Sequence, residues 1–280
     1  GDAISTTSEL VKISSDGNLG LEEGQKFERG GIYRFTVDVT KGNTKAVLTV
    51  EKVGKVDLPA PDIFFGNDKM EVTDTDIYKS EQVFTQGQMI TVTGIDNLNE
   101  WWIDPDFFEK QSDGALKFLP INGDYRVTAN AVLKYFSVMA LKDGKPAKLQ
   151  DDGTGAIWAI GKGIGKPSVA SSEVGWEPGK ALCLAQVAPR KYQLTLKAGE
   201  TLKTSGDPEV ISFKFFHQND WGGEFGNYAN SILVEQLKLA DSGNLEMQDN
   251  KAFEEGAVYR FTIDVTNGNA NADLKVEKIN

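Results

Sequence analysis

The sequence has 280 residues, of which 40% are hydrophobic and 25% charged, with a formal net charge of −11 and one cysteine. The length suggests about two domains, the acidity argues against a nucleic-acid partner, and a single thiol excludes an internal disulfide. No apolar run is long enough to cross a membrane as a helix.

The chain opens GDAISTTSEL, a polar start with neither a signal-peptide pattern nor an initiator Met. It reads as a trimmed start, ahead of which an export signal or lipid anchor could stand. A turn-rich stretch follows, and then GGIYRFTVDVTKGNTKAVLTVEKV at residues 30–53. Its two halves alternate apolar and polar residues at period two around TKGNTK, which predicts a β-hairpin. The same text returns as GAVYRFTIDVTNGNANADLKVEKI at 256–279. The match runs without a gap from residues 10–53 onto 236–279, with roughly half the positions identical. Two copies at the two ends exclude a solenoid, which repeats at a short period.

Between the copies, residues 89–140 and 156–221 carry a fainter likeness. Each reads strand, long loop, strand, Tyr-x-x-Thr, strand, with Tyr125 and Thr128 matching Tyr192 and Thr195. The chain order is therefore hairpin, middle unit, middle unit, hairpin. Either the first domain is a permuted version of the second or its middle unit is unrelated. A hairpin alone is too small to be stable, so each is expected to complete a larger sheet. The expected fold is all-β: two β-sandwich domains, immunoglobulin-like or carbohydrate-binding-module-like, at 1–145 and 146–280. The boundary is placed in the polar, turn-rich LKDGKPAKLQDDGTG of 141–155. The best helix candidate is NYANSILVEQLKLA, 227–240, although its end overlaps the repeat and also suits a strand.

Few residues suit catalysis. His217 is the only histidine and Cys183 the only thiol, and Cys183 sits in the apolar KALCLAQV as a small buried hydrophobe would. No catalytic residue, metal site or cofactor is expected. GKGIGKPS, 161–168, imitates a phosphate loop but lacks its spacing and following helix, so it reads as a glycine-rich loop between strands. In WWIDPDFFEK, Asp104 and Asp106 beside Trp101 and Trp102 could serve a glycosidase as paired carboxylates. Asp-Pro-Asp is also ordinary turn chemistry, and a structural turn is the favoured reading over a cation site or catalysis.

All five tryptophans lie outside the hairpin copies. Trp158, in AIWAIG, reads as core. Trp176, in SEVGWEPGK, and Trp221, in HQNDWGGEFG, are flanked by glycine and polar residues, as in exposed loops where binding groups concentrate.

Residues 156–221 followed by GNLEMQDNKAFEEGAVYRFTIDV resemble the modules of SusE/SusF-like outer-membrane lipoproteins of Bacteroidetes glycan-utilisation systems. Residues 1–145 fit only in their hairpin part. The resemblance implies a non-catalytic, surface-exposed, glycan-binding lipoprotein of β-sandwich modules, held to the membrane only by a removed anchor. An outer-membrane glycan-import complex is an implied partner. It implies a ligand platform at Trp176, Lys214 and Trp221, to which Asn219, Trp101 and Trp102 are added here as binding candidates. The rival readings are a glycosidase using Asp104 and Asp106, and a structural or adhesin-like surface protein whose tryptophans are all core.

Overall fold

Where apolar and polar residues alternate, strands form and the apolar set turns inward. In Val258–Asp264 this buries Tyr259, Phe261 and Ile263, and in Gly123–Asn130 it buries Tyr125, Val127 and Ala129. The structure, a computed structural model, describes residues 4–15, 17–23, 25–204 and 210–280. It is all-β and sandwich-like, with helix confined to single turns among the described residues. No helix there is long and apolar enough to cross a membrane.

The chain divides into two compact units, Gly1–Pro61 and Asp62–Asn280. This differs from the boundary expected at 141–155. The reason is packing: one hydrophobic cluster runs from Ile63 to Val276. The 141–155 stretch is tied into it, the Leu149 amide donating to the His217 carbonyl at 2.8 Å and the Trp158 indole to the Ala147 carbonyl at 3.0 Å.

Within the larger unit, residues 62–149 form a five-stranded sheet ordered Lys145–Pro146, Tyr135–Lys142, Gly123–Asn130, Ile77–Phe84, Glu71–Asp74, with two small three-stranded sheets. Residues from 152 onward form two further sheets. One runs Glu173–Gly175, Trp158–Gly165, Ser212–Phe216, Leu245–Met247, Leu237–Leu239. The other runs Ala185–Ala188, Lys191–Lys197, Val258–Asp264, Asp273–Lys278, Asn230–Ile232.

The repeated hairpin adopts one topology in both places. In the first copy Val11–Ile13 pairs with Leu19–Leu21, Gly31–Asp38 pairs with Val47–Lys55, and Ser5–Thr6 adds in parallel. In the second, Leu237–Leu239, Leu245–Met247, Val258–Asp264, Asp273–Lys278 and Asn230–Ile232 repeat these pairings. Both turns carry a glycine with positive φ, Gly42 at 92° and Gly268 at 94°, ahead of a 3-10 turn. Other residues are strained there, which is why Gly-Asn recurs.

Three expectations change. The region 227–240 contains strands Asn230–Ile232 and Leu237–Leu239, not a helix, because pairing with the rest of the repeat outweighs local propensity. The fainter middle repeat is not a shared topology. Gly123–Asn130 turns within four residues into its antiparallel neighbour Tyr135–Lys142, whereas Lys191–Lys197 is followed by a long connection to Ser212–Phe216 in the other sheet. Finally, the glycines of GKGIGKPS are not a loop but most of the strand Trp158–Gly165. A Cβ on Gly161 would lie 2.3 Å from the Cα of Phe213. Only glycine lets these two backbones approach so closely.

Candidate functional site

Trp176 follows the edge strand Glu173–Gly175, and Trp221 sits in the loop after Ser212–Phe216. That loop is closed tightly. The His217 amide donates to the Gly223 carbonyl at 2.7 Å, Phe216 bridges to Glu224, and the Gln218 side chain donates to the Trp221 carbonyl at 2.5 Å. The turn at its tip uses Gly222 and Gly223, both at positive φ. The two indoles come together: their centroids are 6.2 Å apart and their planes 27° from parallel. Trp221 also meets the Phe216 ring nearly edge-on at 5.9 Å. Trp176 is half-buried against the core and Trp221 is 51% exposed. The pair is thus a stacked aromatic unit, anchored to the core through Trp176 and open to solvent at Trp221. Such ring contacts contribute about 0.5–1.5 kcal/mol beyond burial, which favours one fixed orientation.

Lys214 pairs across to Ile160, whose strand neighbour Gly161 pairs with Gly175, the residue before Trp176. The pleat puts Lys214 on the same face of its strand as Phe216, on which Trp221 rests. Lys214 is half-buried and has no carboxylate partner among the described residues. Asn219 is half-buried in the Trp221 loop. His217 points the other way, its ring 4.3 Å from that of Phe225, and burial lowers its pKa so that it is neutral at pH 7. Gly175 and Glu177, flanking Trp176, line a groove of about 630 Å³ with Lys162, Glu173, Lys180 and Lys203. These charges are partly paired within the groove, Lys203 to Glu173 at 2.9 Å and Lys180 to Glu177 at 2.9 Å.

The other two candidate tryptophans are not part of this surface. Trp101 is buried and stacks on Phe136 at 4.5 Å, so no face of its ring is free to receive a ligand. Trp102 is half-buried, donates its indole N–H to Glu200 at 2.6 Å and meets Tyr135 edge-on. Sequence separation from Trp176 and Trp221 concealed this, because the local pattern of WW-x-DPD resembles a loop while its burial is set by distant strands.

Asp104 and Asp106 are likewise interior. The Lys166 ammonium lies 2.7 Å from Asp104 and 3.0 Å from Asp106, with all three side chains at most 3% exposed. Asp106 also accepts from the Thr195 amide and hydroxyl, each at 2.6 Å, and from Gln193 at 2.8 Å. Burial pushes the Asp104 carboxyl up. Burial acts on Asp106 too, but Lys166, Thr195 and Gln193 outweigh it and hold that carboxyl below its ordinary value. Both carboxylates contact one buried ammonium, which ties this segment to Lys166 in the interior. Lys166, from the false phosphate loop, is the residue that sequence reasoning missed. Its only signal was a lysine placed between the end of a strand and Pro167. Cys183 is buried, and burial pushes its thiol up to about 12. Among the described residues no group of three or more His, Cys, Asp or Glu is placed to hold a metal ion.

Against known families, the model described as domain of unknown function (DUF5121) matches residues 1–40 and 152–266, over half the chain. The chain belongs to the DUF5121 family. A second model, described as domain of unknown function (DUF5125), matches residues 44–149. No curated protein matches the chain. Trp176, Lys214, Asn219 and Trp221 all fall in the DUF5121 part, whereas Trp101, Trp102, Asp104 and Asp106 fall in the DUF5125 part. The DUF5125 and DUF5121 matches meet at 149 and 152, inside the turn-rich 141–155 stretch, although the two regions share one core.

Proposed function

We propose that this protein binds carbohydrate without catalysing its breakdown, on the surface made by Trp176 and Trp221. The observation that carries this reading is the near-parallel indole pair, half anchored and half exposed on a tightly closed loop. The flat apolar face of a sugar ring stacks on such a surface. Lys214, on the adjoining strand face, supplies a charged donor for hydroxyl groups, and Asn219 supplies an amide from the same loop. The likeness to SusE/SusF-like modules noted in the sequence supports a place at a bacterial cell surface, on an exported lipoprotein that serves a glycan-import complex. The glycosidase alternative loses support because Asp104 and Asp106 are both held by Lys166.

Trp221→Ala should weaken oligosaccharide or polysaccharide binding by about 1–3 kcal/mol, by analogy with aromatic stacking of bases, which is roughly ten- to hundred-fold. The melting temperature should stay within about 2 °C, since the ring is half in solvent. Lys214→Met should cost roughly ten-fold in affinity, the scale of one charge-assisted hydrogen bond. A glycan array followed by calorimetric titration and product analysis decides. Binding without hydrolysis that fails in both variants supports the site. Hydrolysis products would restore the enzymatic reading. No binding to any glycan leaves the structural or adhesin-like role as the better account.

A further inference from the structure

The two hairpin copies have the same sequence pattern and topology but not the same surroundings. In the second copy Phe261, Ile263 and Leu245 are fully buried. Their counterparts in the first, Phe35, Val37 and Leu19, are 49%, 53% and 48% exposed. Val39 is about half exposed as well, where Val265 is buried. The backbone tells the same story. Val258–Asp264 is paired on both edges, to Lys191–Lys197 and to Asp273–Lys278. Among the described residues its counterpart Gly31–Asp38 is paired on one edge only, to Val47–Lys55. Leu245–Met247 pairs with Ser212–Phe216, but among the described residues Leu19–Leu21 pairs only with Val11–Ile13. Open strand edges beside a contiguous apolar face are an unfinished sheet.

We propose that residues 4–61 are the second half of a DUF5121 sandwich, and that this half takes up a first half supplied by chain outside residues 62–280. The complete copy specifies the occupant. Opposite Tyr33, Phe35 and Val37 it places residues like Leu196, Leu194 and Tyr192, since those face Tyr259, Phe261 and Ile263. Opposite Leu19 it places one like Phe213, which faces Leu245. Opposite Asp38 it places a lysine, as Lys191 lies 3.1 Å from Asp264. The match of residues 1–40 to the same family model as 152–266 agrees with this assignment. The chain's own first half is not the donor, in this molecule or in a second copy. Lys191–Lys197 and Ser212–Phe216 are each already paired on both edges, so either would have to leave its own sandwich.

The test uses the full chain with and without an added copy of residues 152–229 joined directly ahead of Ile4, the position that corresponds to Asn230. In the unextended chain the amides of residues 33–37 should exchange with solvent far faster than those of 259–263, and a dye that binds apolar surface should bind. In the extended chain those amides should slow by at least about 100-fold and dye binding should fall. Leu194→Lys with Leu196→Lys in the added copy alone should abolish the protection. Phe35→Ser should abolish it in the extended chain and change little in the unextended one. The proposal is overturned if the added half gives no protection, or if the charged copy protects equally well. It is also overturned if residues 33–37 of the unextended chain are already as protected as 259–263. Protection that appears only with dimerisation on sedimentation would assign the face to a second copy and overturn the proposal as well.

Discussion

Lys166→Met should lower the stability of the larger unit by about 3–5 kcal/mol, the cost of removing one partner from a buried ion pair. For a unit of this size that is a fall in melting temperature on the order of 6–20 °C. The substitution preserves most of the side-chain volume, so packing is a minor part of the loss. What remains is Asp104 and Asp106, buried side by side with no cation. The loss should depend on pH, and its sign can be worked out. Burial on its own would lower the pKa of Lys166, but the two carboxylates more than reverse this and hold it raised. The lysine therefore stays charged throughout the neutral range in the native protein. Asp106 is held below its ordinary value, so its contribution is present above the ordinary carboxylate range and fades as pH falls through its folded value. Without Lys166 the opposing influence is gone and burial raises both carboxyls. The variant is then least stable, relative to the parent, at neutral pH and above, where two carboxylates must be buried charged, and the gap to the parent narrows as the pH falls and they protonate. Calorimetry at pH 5 and pH 8 checks this. A deficit below about 1 kcal/mol, or one of equal size at both pH values, is incompatible with a buried charge tie.

The same phenylalanine in the two hairpins should behave in opposite ways. Phe261→Ala should cost about 3–5 kcal/mol, the usual penalty for emptying a core aromatic site. Phe261 packs edge-on against Phe213 at 5.5 Å and also contacts Phe215 at 6.4 Å. Phe35→Ala should cost under about 1 kcal/mol, as for surface positions, because Phe35 is half exposed and its ring contact is Phe27 at 6.1 Å. Two thermal transitions followed separately, by residue-resolved hydrogen exchange or by tryptophan fluorescence for the larger unit, distinguish the pair. Comparable losses from both substitutions would mean that the first hairpin's apolar face is covered in solution.

Much of the architecture can be read from local pattern. Tyr-x-Phe-x-Val and Leu-x-Val fix which residues of each hairpin share a face, and a glycine with positive φ fixes the turn between them. These are properties of a few consecutive residues, so both copies fold alike wherever they stand. The loop character of Trp221 was legible for the same reason: two following glycines and the preceding Asn-Asp leave little choice.

What covers a face is decided by residues far away in sequence, and there the local pattern is silent. Phe35 and Phe261 lie in almost identical text, yet one is half exposed and the other buried, because only the second has Lys191–Lys197 beside it and Phe213 above it. Trp101 and Trp221 both follow polar, turn-forming stretches. Trp101 is buried because Phe136, in a strand more than thirty residues on, closes over it. Lys166 stood in a stretch that read as a glycine-rich loop, and only the fold brings Asp104 and Asp106 to it from about sixty residues upstream. The polar stretch at 141–155 looked like a linker, but a continuous core closes around it. The sequence by itself determined the all-β class, the repeated hairpin and the inward residues of its alternating strands, since these follow from period-two alternation and backbone sterics. Only the tertiary structure decided which inward faces meet a partner, which carboxylates are neutralised and which indoles remain in solvent, since burial and charge pairing depend on contacts between segments that no local window contains.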